Sequence, residues 1–256
     1  MPPIVTDAIV LHAQDYSESS RILRLATRDA GVQSVLARGA RVSKRRFGPA
    51  VDLFAEGEVQ YDVRAGRDLH TLARFDVVRS RIALGTSLDR FEGASALVDV
   101  MLRVAKDDGT PADAYDALRD GLDAIAADGD AVIATVRAVW RLLASIGFTP
   151  ALDSCVECDR ELVASLDVAF SAESGGVLCA SCGARTPSRR LPASARAQLR
   201  RWLSGEPGND VAPESAIDAL TARAHRRLLR MFVHAHLTDG RPLRAFDAWA
   251  TADASD

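Results

Sequence analysis

Lysine is almost missing from this chain. Of its 32 basic residues only Lys44 and Lys106 are lysine, so nearly all the positive charge is arginine. Arginine suits forked contacts to phosphate better than lysine does; the same bias also follows from genomic base composition. A long apolar run is missing too. The most apolar stretch, 131–146, is interrupted by Arg137 and Arg141 and is too short and too charged to span a bilayer. Residues 1–11 have neither a basic leader nor a small-residue cleavage site, so no secretory signal and a cytoplasmic location are expected. Common catalytic motifs are absent as well. There is no Gly-x-x-x-x-Gly-Lys-Ser/Thr loop, no His-Glu-x-x-His, no Gly-x-Ser-x-Gly and no dinucleotide fingerprint. The His-x-Glu of the zinc deaminases is missing, and no carboxylates are grouped at a nuclease-like metal spacing. Neither an internal repeat nor a low-complexity tract interrupts the chain. These gaps point away from an enzyme and away from a membrane protein.

The remaining composition is that of an ordinary globular protein, 48% hydrophobic and 26% charged over 256 residues, with a net charge of −3. The charge is unevenly spread. Residues 81–150 hold seven basic and eleven acidic side chains, whereas 185–244 hold twelve arginines and five acids.

The first eighty residues read as β structure. Short, partly alternating runs at 8–11, 21–26, 33–37, 53–63 and 69–75 are separated by Gly31, Gly39, Gly48-Pro49 and Gly66. Five strands in so short a span fit a small barrel, of which the OB-fold is the commonest five-stranded kind; composition does not separate it from an SH3-like barrel. After Ser87 the period becomes helical. Leu88, Phe91, Val98 and Leu102, with Leu97 and Met101, predict one helix, and Tyr115, Leu118, Leu122 and Ile125 a second, started by Thr110-Pro111. Val132, Val136, Val139, Leu143 and Ile146, widened by Ile133 and Trp140, predict a third that is apolar on most sides and central to a helical core. Gly147 and Pro150 end it. Helices near 193–203 and 214–237 are expected to close the chain, with a frayed tail after Trp249.

All four cysteines fall in one pattern: Cys155-Val-Glu-Cys158, twenty residues, then Cys179-Ala-Ser-Cys182. Two cysteines separated by two residues bend their thiolates onto one ion, and two such hooks twenty apart match a zinc ribbon. Redox dithiols or inert buried thiols are the alternatives. One structural Zn2+ is expected, since a closed four-thiolate site leaves no position for a reactive water. Gly183 after the second hook, and Asp159 after the first, stand where a positive φ turns backbone N–H groups toward sulfur. Ser174-Gly175-Gly176 reads as a hairpin tip.

Two sets of cations are candidates for nucleic-acid contact. Arg38, Arg41, Lys44, Arg45 and Arg46 put five positive charges in nine residues beside Phe47, with no acid between Asp29 and Asp52. Phosphate attracts such a loop, although a solvated charge run reads the same way. Arg223, Arg226, Arg227 and Arg230 share one helical face opposite Ile217, Leu220, Leu228 and Met231. That pattern equally describes an ordinary amphipathic surface helix. His234 and His236, two apart, point different ways and make no metal pair; His12, His70 and His225 stand alone.

Several segments together resemble the RecO family of bacterial recombination mediators. They are Ala8-Ile-Val-Leu11, Asp15-Tyr-Ser-Glu-Ser-Ser-Arg-Ile-Leu23 with Thr27 and Gly31, and Ala37-Arg38-Gly39-Ala40-Arg41 with Lys44 and Phe47-Gly48. Gly147-Phe148-Thr149-Pro150 running into Cys155, and Gly175-Gly176-Val177-Leu178-Cys179, complete the set, in order over essentially the whole chain. Arg45 stands where the family often has serine, and 241–246 follows the family's closing segment only loosely. The resemblance implies an α+β protein: an N-terminal OB-fold-like β-barrel followed by an α-helical domain with an inserted four-cysteine zinc module. It implies binding and annealing of single- and double-stranded DNA in the nucleoid, and partnership with RecR and single-stranded DNA-binding protein so that RecA can load. Some relatives lack the cysteines, which makes zinc scaffold rather than mechanism. The expected units are a barrel at 1–80, a helical domain at 81–154 and 184–250, and a zinc module at 155–183. The rival reading is a zinc-ribbon protein-interaction factor in transcription or translation.

Overall fold

The computed structural model describes residues 3–40, 52–64, 66–105, 112–127, 129–204, 217–237 and 241–252. Among them, β1 (Ile4–Asp15), β2 (Arg21–Thr27), β3 (Gly31–Ala37), β4 (Glu56–Asp62) and β5 (Leu69–Arg79) close into a barrel in the order β1-β2-β3-β5-β4. β3 and β5 run parallel and every other neighbouring pair antiparallel. This is the OB-type barrel that the strand count left undecided. Closure depends on β1 serving two partners. Its first half pairs with β4, from Ile4↔Tyr61 to Ile9↔Glu56, and its second with β2, out to Asp15↔Arg21, with a register shift between Val10 and His12. Such irregularities bend a strand and raise its twist.

Period-two alternation decides what each barrel residue meets. Ala8, Val10, Leu23, Leu25, Val35, Val59, Tyr61, Leu72 and Phe75 fill the interior. The opposite face of the same wall carries Ile9, Leu11, Ala26 and Val32, and these join Phe54 in the helical core. The continuous run 8–11 is thus apolar because the strand is covered on both sides. The expected strand at 53–63 begins only at Glu56. Phe54 precedes it at φ 68 and is buried, its ring 6.0 Å from that of Phe91. The left-handed turn takes this side chain out of the barrel and into the helical body, and Phe54 N–H donates to the Val10 carbonyl at 2.9 Å.

A 3-10 turn (Ile82–Gly85) leads to α1 (Leu88–Val104), α2 (Ala112–Ala126) and α3 (Ala131–Ser145). In α2, Tyr115, Leu118, Leu122 and Ile125 are all buried, as their spacing predicts; Thr110-Pro111 lies outside the described residues. α1 differs from expectation. Its buried face is Ala94, Leu97, Val98 and Met101, while Leu88 is 71% and Phe91 40% exposed. The first turn of this helix overhangs the core, and the spacing of its apolar residues does not reveal that. α3 packs against α1, α2 and two later helices, the central role its breadth predicts. Asp130 caps it by accepting the Val132 and Ile133 N–H groups at 2.8 and 3.0 Å. Gly147, at φ +90, ends it: Gly147 N–H donates to the Ala144 carbonyl at 3.1 Å and Phe148 N–H to Leu143 at 2.9 Å, a Schellman arrangement.

Beyond α3 lie β6 (Val168–Ser171), β7 (Gly176–Leu178), the short α4 (Ala180–Gly183) and β8 (Arg189–Leu191), the strands ordered β7-β6-β8. Then come α5 (Ala193–Ser204), α6 (Ala219–Leu237) and α7 (Arg244–Thr251). α7 was not expected from the sequence. Asp99 of α1 accepts its Ala245 and Phe246 N–H groups at 2.9 and 3.2 Å, and Phe246 and Trp249 are buried. A carboxylate at a helix N-terminus satisfies orphan donors and the helix dipole together.

Arg81 ties the barrel to the helices. Its side chain is buried and donates from Nε to Asp123 Oδ1 (2.7 Å), from Nη1 to the Phe54 carbonyl (2.9 Å) and from Nη2 to Glu56 Oε2 (2.6 Å). Arg79 pairs with the same Asp123. A second, more open tie is Arg28, which grips Asp116 with both Nη atoms and lies over the Tyr115 ring, 4.6 Å from its centroid. Breaking a buried charge network leaves its partners unpaired. Arg81→Ala should therefore lower stability by roughly 3 kcal/mol, and Arg28→Ala, at a more exposed pair, by about 1 kcal/mol or less. Urea unfolding of both variants checks this; equal losses would contradict the buried-lock account.

Candidate metal centre

The four cysteines come together. Their Sγ atoms all lie within 4.8 Å of one another, and Cys158 Sγ stands 3.8 Å from Cys179 Sγ. Tetrahedral thiolates at about 2.3 Å from a zinc-sized ion stand about 3.8 Å apart, so the cluster fits such an ion. Cys155, Cys179 and Cys182 are buried and Cys158 is exposed. Among the described residues this is the only group of His, Cys, Asp or Glu side chains gathered closely enough to hold a metal.

Backbone hydrogen bonds build each hook. In the first, Cys155 N–H donates to Arg160 O at 2.8 Å and Asp159 N–H to Cys155 O at 2.8 Å, with Asp159 at φ 57 as anticipated. In the second, Cys179 starts α4 and Gly183 N–H donates to Cys179 O at 2.8 Å. Gly183 itself does not take a positive φ. It is glycine for space, because a Cβ there would come within 2.7 Å of the Ala169 Cβ. The hooks are stitched by Val156 N–H donating to Val177 O at 3.0 Å, and by residue 151 bridging Gly176. The turn from β6 to β7 contains Ser174-Gly175, as the hairpin reading requires.

Electrostatics tell the same story. The Ser181 hydroxyl, 3.1 Å from Cys179 Sγ, pulls that thiol down to about 6, while the adjacent Cys179 sulfur, with burial, pushes Cys182 up to about 12. Packed sulfurs cannot all ionise alone; a divalent cation lets all four do so. Arg185 Nη2, 3.9 Å from Cys182 Sγ, adds positive charge beside the cluster.

Arg196 supports this module, and no motif announced it. Fully buried on α5, it donates to the carbonyls of Leu152 (2.6 Å), Val163 (3.0 Å) and Leu162 (3.0 Å), clasping both ends of the first hook. The available signal was its register: 196, 199 and 202 share the apolar face of their helix, where an arginine is out of place.

The basic candidates separate. Arg38 is exposed just past β3. The pairings Asp15↔Arg21, Arg21↔Ala37 and Asp62↔Thr71 bring this end of the barrel together with the β1–β2 hairpin and the β4–β5 loop. Arg64, Arg67 and Tyr16 are exposed on that rim. Arg41, Lys44, Arg45 and Arg46 lie outside the described residues. The α6 set does not form one open stripe. Arg223 and Arg227 are exposed, but Arg226 is buried, 5.7 Å above the Trp249 ring, and Arg230 Nε lies 3.8 Å from Asp247. The unexpected α7 covers that side, while Leu220, expected inside, is 78% exposed. His234 and His236 diverge as expected, to Asp247 (2.6 Å) and the Ala172 carbonyl (2.8 Å).

The architecture is that of an OB-type barrel protein whose helical body carries a cluster of four cysteines placed to hold a metal ion. Comparison with known proteins narrows this. The family model "Recombination protein O N terminal" matches residues 1–81 and "Recombination protein O C terminal" matches 85–245. The chain is similar to the DNA repair protein RecO of Anaeromyxobacter sp. (strain K), 35% identical over 248 residues, covering 96% of this chain and 95% of that one. It is also similar to those of Rubrobacter xylanophilus (30%, covering 90% and 88%) and Streptomyces griseus (30%, covering 91% and 94%). The chain belongs to the RecO family.

His225 supplies a pH test of the helical core. It is 2% exposed, edge-on to Trp202 at 4.7 Å, and burial pulls it from 6.5 down to about 4. The unfolded chain takes up this proton near 6.5 and the folded one only near 4. Its contribution is therefore complete above pH 6.5 and lost as pH falls from 6.5 to 4, by up to roughly 3 kcal/mol. His225→Phe should flatten the stability–pH curve in that window; an unchanged curve would refute the assignment.

Proposed function

We propose that this RecO-family protein acts in DNA repair as a mediator of homologous recombination, binding single- and double-stranded DNA, annealing complementary strands and helping to load RecA. RecR and single-stranded DNA-binding protein are its partners in this reading, and the nucleoid is its place of work. The observation that carries it is family membership over both halves of the chain, on a closed OB-type barrel whose rim bears Arg38, Arg64 and Arg67. The same membership weighs against a zinc-ribbon factor of transcription or translation.

The barrel, residues 1–80, is the DNA-binding unit. Arg38 at the rim, with Arg41, Lys44, Arg45 and Arg46 that follow it in sequence, neutralises phosphates, and each neutralised phosphate releases counterions. Arg223 and Arg227, exposed on α6, offer a contact for a second strand, whereas Arg226 is buried against Trp249 and Arg230 faces Asp247. Annealing needs two phosphate backbones screened and held close. It makes and breaks no covalent bond, so the mediator is not an enzyme.

The ion is Zn2+, held by Cys155, Cys158, Cys179 and Cys182 in the module at 155–183, set within a helical domain of 81–154 and 184–250. Four thiolates close the coordination sphere and leave no site for substrate, so the metal is structural. Purified protein should carry about one zinc per chain, and Cys155→Ser should lose it with a large drop in melting temperature. A folded wild-type protein with four free thiols and no metal would refute the site.

Affinity for an oligonucleotide should fall steeply with salt and depend little on sequence. Replacing Arg41, Lys44, Arg45 and Arg46 by alanine should weaken binding and annealing together and flatten the log–log salt slope by roughly one unit per lost contact. Replacing Arg223 and Arg227 should spare single-strand affinity more than annealing. If the first variant binds like wild type and the second does not, the loop is not the primary contact.

A further inference from the structure

We propose that Cys158 is an oxidation site: a peroxide attacks it first, it then closes a disulfide with Cys179 of the other hook, and the metal ion is expelled. This rests on the metal reading above.

Access singles Cys158 out. When a metal is bound every ligand is a thiolate, so the four cysteines differ mainly in exposure, which with thiolate character controls oxidation. Cys155 has no exposed surface, Cys179 and Cys182 each have 5%, and Cys158 alone is exposed. Cys179 is the proposed resolving partner, because its Sγ stands 3.8 Å from Cys158 Sγ across the two hooks, within a cluster whose sulfurs all lie within 4.8 Å of one another. In the first step the Cys158 thiolate displaces hydroxide from hydrogen peroxide, forming an S–O bond as the O–O bond breaks. In the second the Cys179 thiolate attacks the sulfenic sulfur, forming the S–S bond as hydroxide leaves. The two sulfurs together give up two electrons, and the peroxide is reduced to two hydroxides. Cys155 and Cys182 remain, too few ligands to hold a tetrahedral ion.

Arg196 carries the consequence away from the sulfurs. Its three acceptors, the carbonyls of Leu152, Leu162 and Val163, flank the first hook. A displaced hook withdraws them and leaves a buried guanidinium without partners, which destabilises α5. The barrel has its own interior core, separate from the cysteine cluster, and is tied to α2 through Arg81 and Arg28, so it stays folded.

The test uses the full chain, purified reduced and metal-loaded, with metal content measured first. Hydrogen peroxide is then added while released zinc is followed with a chelating dye. Dimedone traps sulfenic acid, and peptide mass mapping locates disulfides. The expected result is dimedone label on Cys158, a Cys158–Cys179 cross-link with loss of two hydrogens, and stoichiometric metal release. Hydrogen exchange should rise over 152–163 and α5 but not over β1–β5. Cys158→His, which keeps a ligating side chain but cannot form the cross-link, should release metal several-fold more slowly. Should that variant fail to load metal, the wild-type mass map decides alone. Absence of metal from the reduced protein overturns both readings. Metal present with disulfides confined to Cys155–Cys158 and Cys179–Cys182, or first labelling of a buried cysteine, overturns this one only.

Discussion

The outer wall of the barrel is also an inner wall of the helical body, and the rest of the structure depends on that shared surface. Ile9, Leu11, Ala26 and Val32 leave the barrel interior to their neighbours in sequence and enter the helical core beside Phe54. Such a joint is apolar and by itself tolerates sliding. Arg81 removes the freedom by reaching a backbone carbonyl and two carboxylates, each from a different nitrogen. Only the planar guanidinium offers donors in that fixed fork.

The same property explains how an arginine-rich chain with net charge −3 uses its cations. Arg81, Arg196 and Arg226 are all buried, and each does something different: a lock between units, a clasp on three carbonyls, a plate over an indole. Arginines inside the protein cannot meet DNA. The positive charge facing solvent is therefore smaller than a count along the chain implies; among the described residues it includes Arg38, Arg64 and Arg67 on the barrel rim and Arg227 on α6. The four cysteines gather in a segment with little apolar core of its own, and Arg196 joins that segment to α5.

Much of the fold was legible in residue order. Five strands with alternating faces, the 131–145 helix ended by Gly147, and the buried face of α2 all follow from patterns that span only a few residues. The paired hooks followed from spacing, because two residues between cysteines is the local geometry that turns both sulfurs one way. Less was legible where two elements compete for one side chain. Leu88 and Phe91 match a helical stripe yet overhang the core, and Gly183 is glycine because of Ala169, fourteen residues earlier, rather than because of its own φ.

By itself the sequence determined the period of the barrel strands and of the helices other than α7, the four sulfurs available to one ion and the cations between Asp29 and Asp52, since each depends on neighbours along the chain. Only the tertiary structure decided which arginines face water. Arg226 has the same helical spacing as Arg223 and Arg227, and it is buried because α7, held by Asp99 from α1, lies across one side of α6 and not the other. Burial is a property of what arrives from elsewhere in the chain, and no pattern within a single helix encodes it.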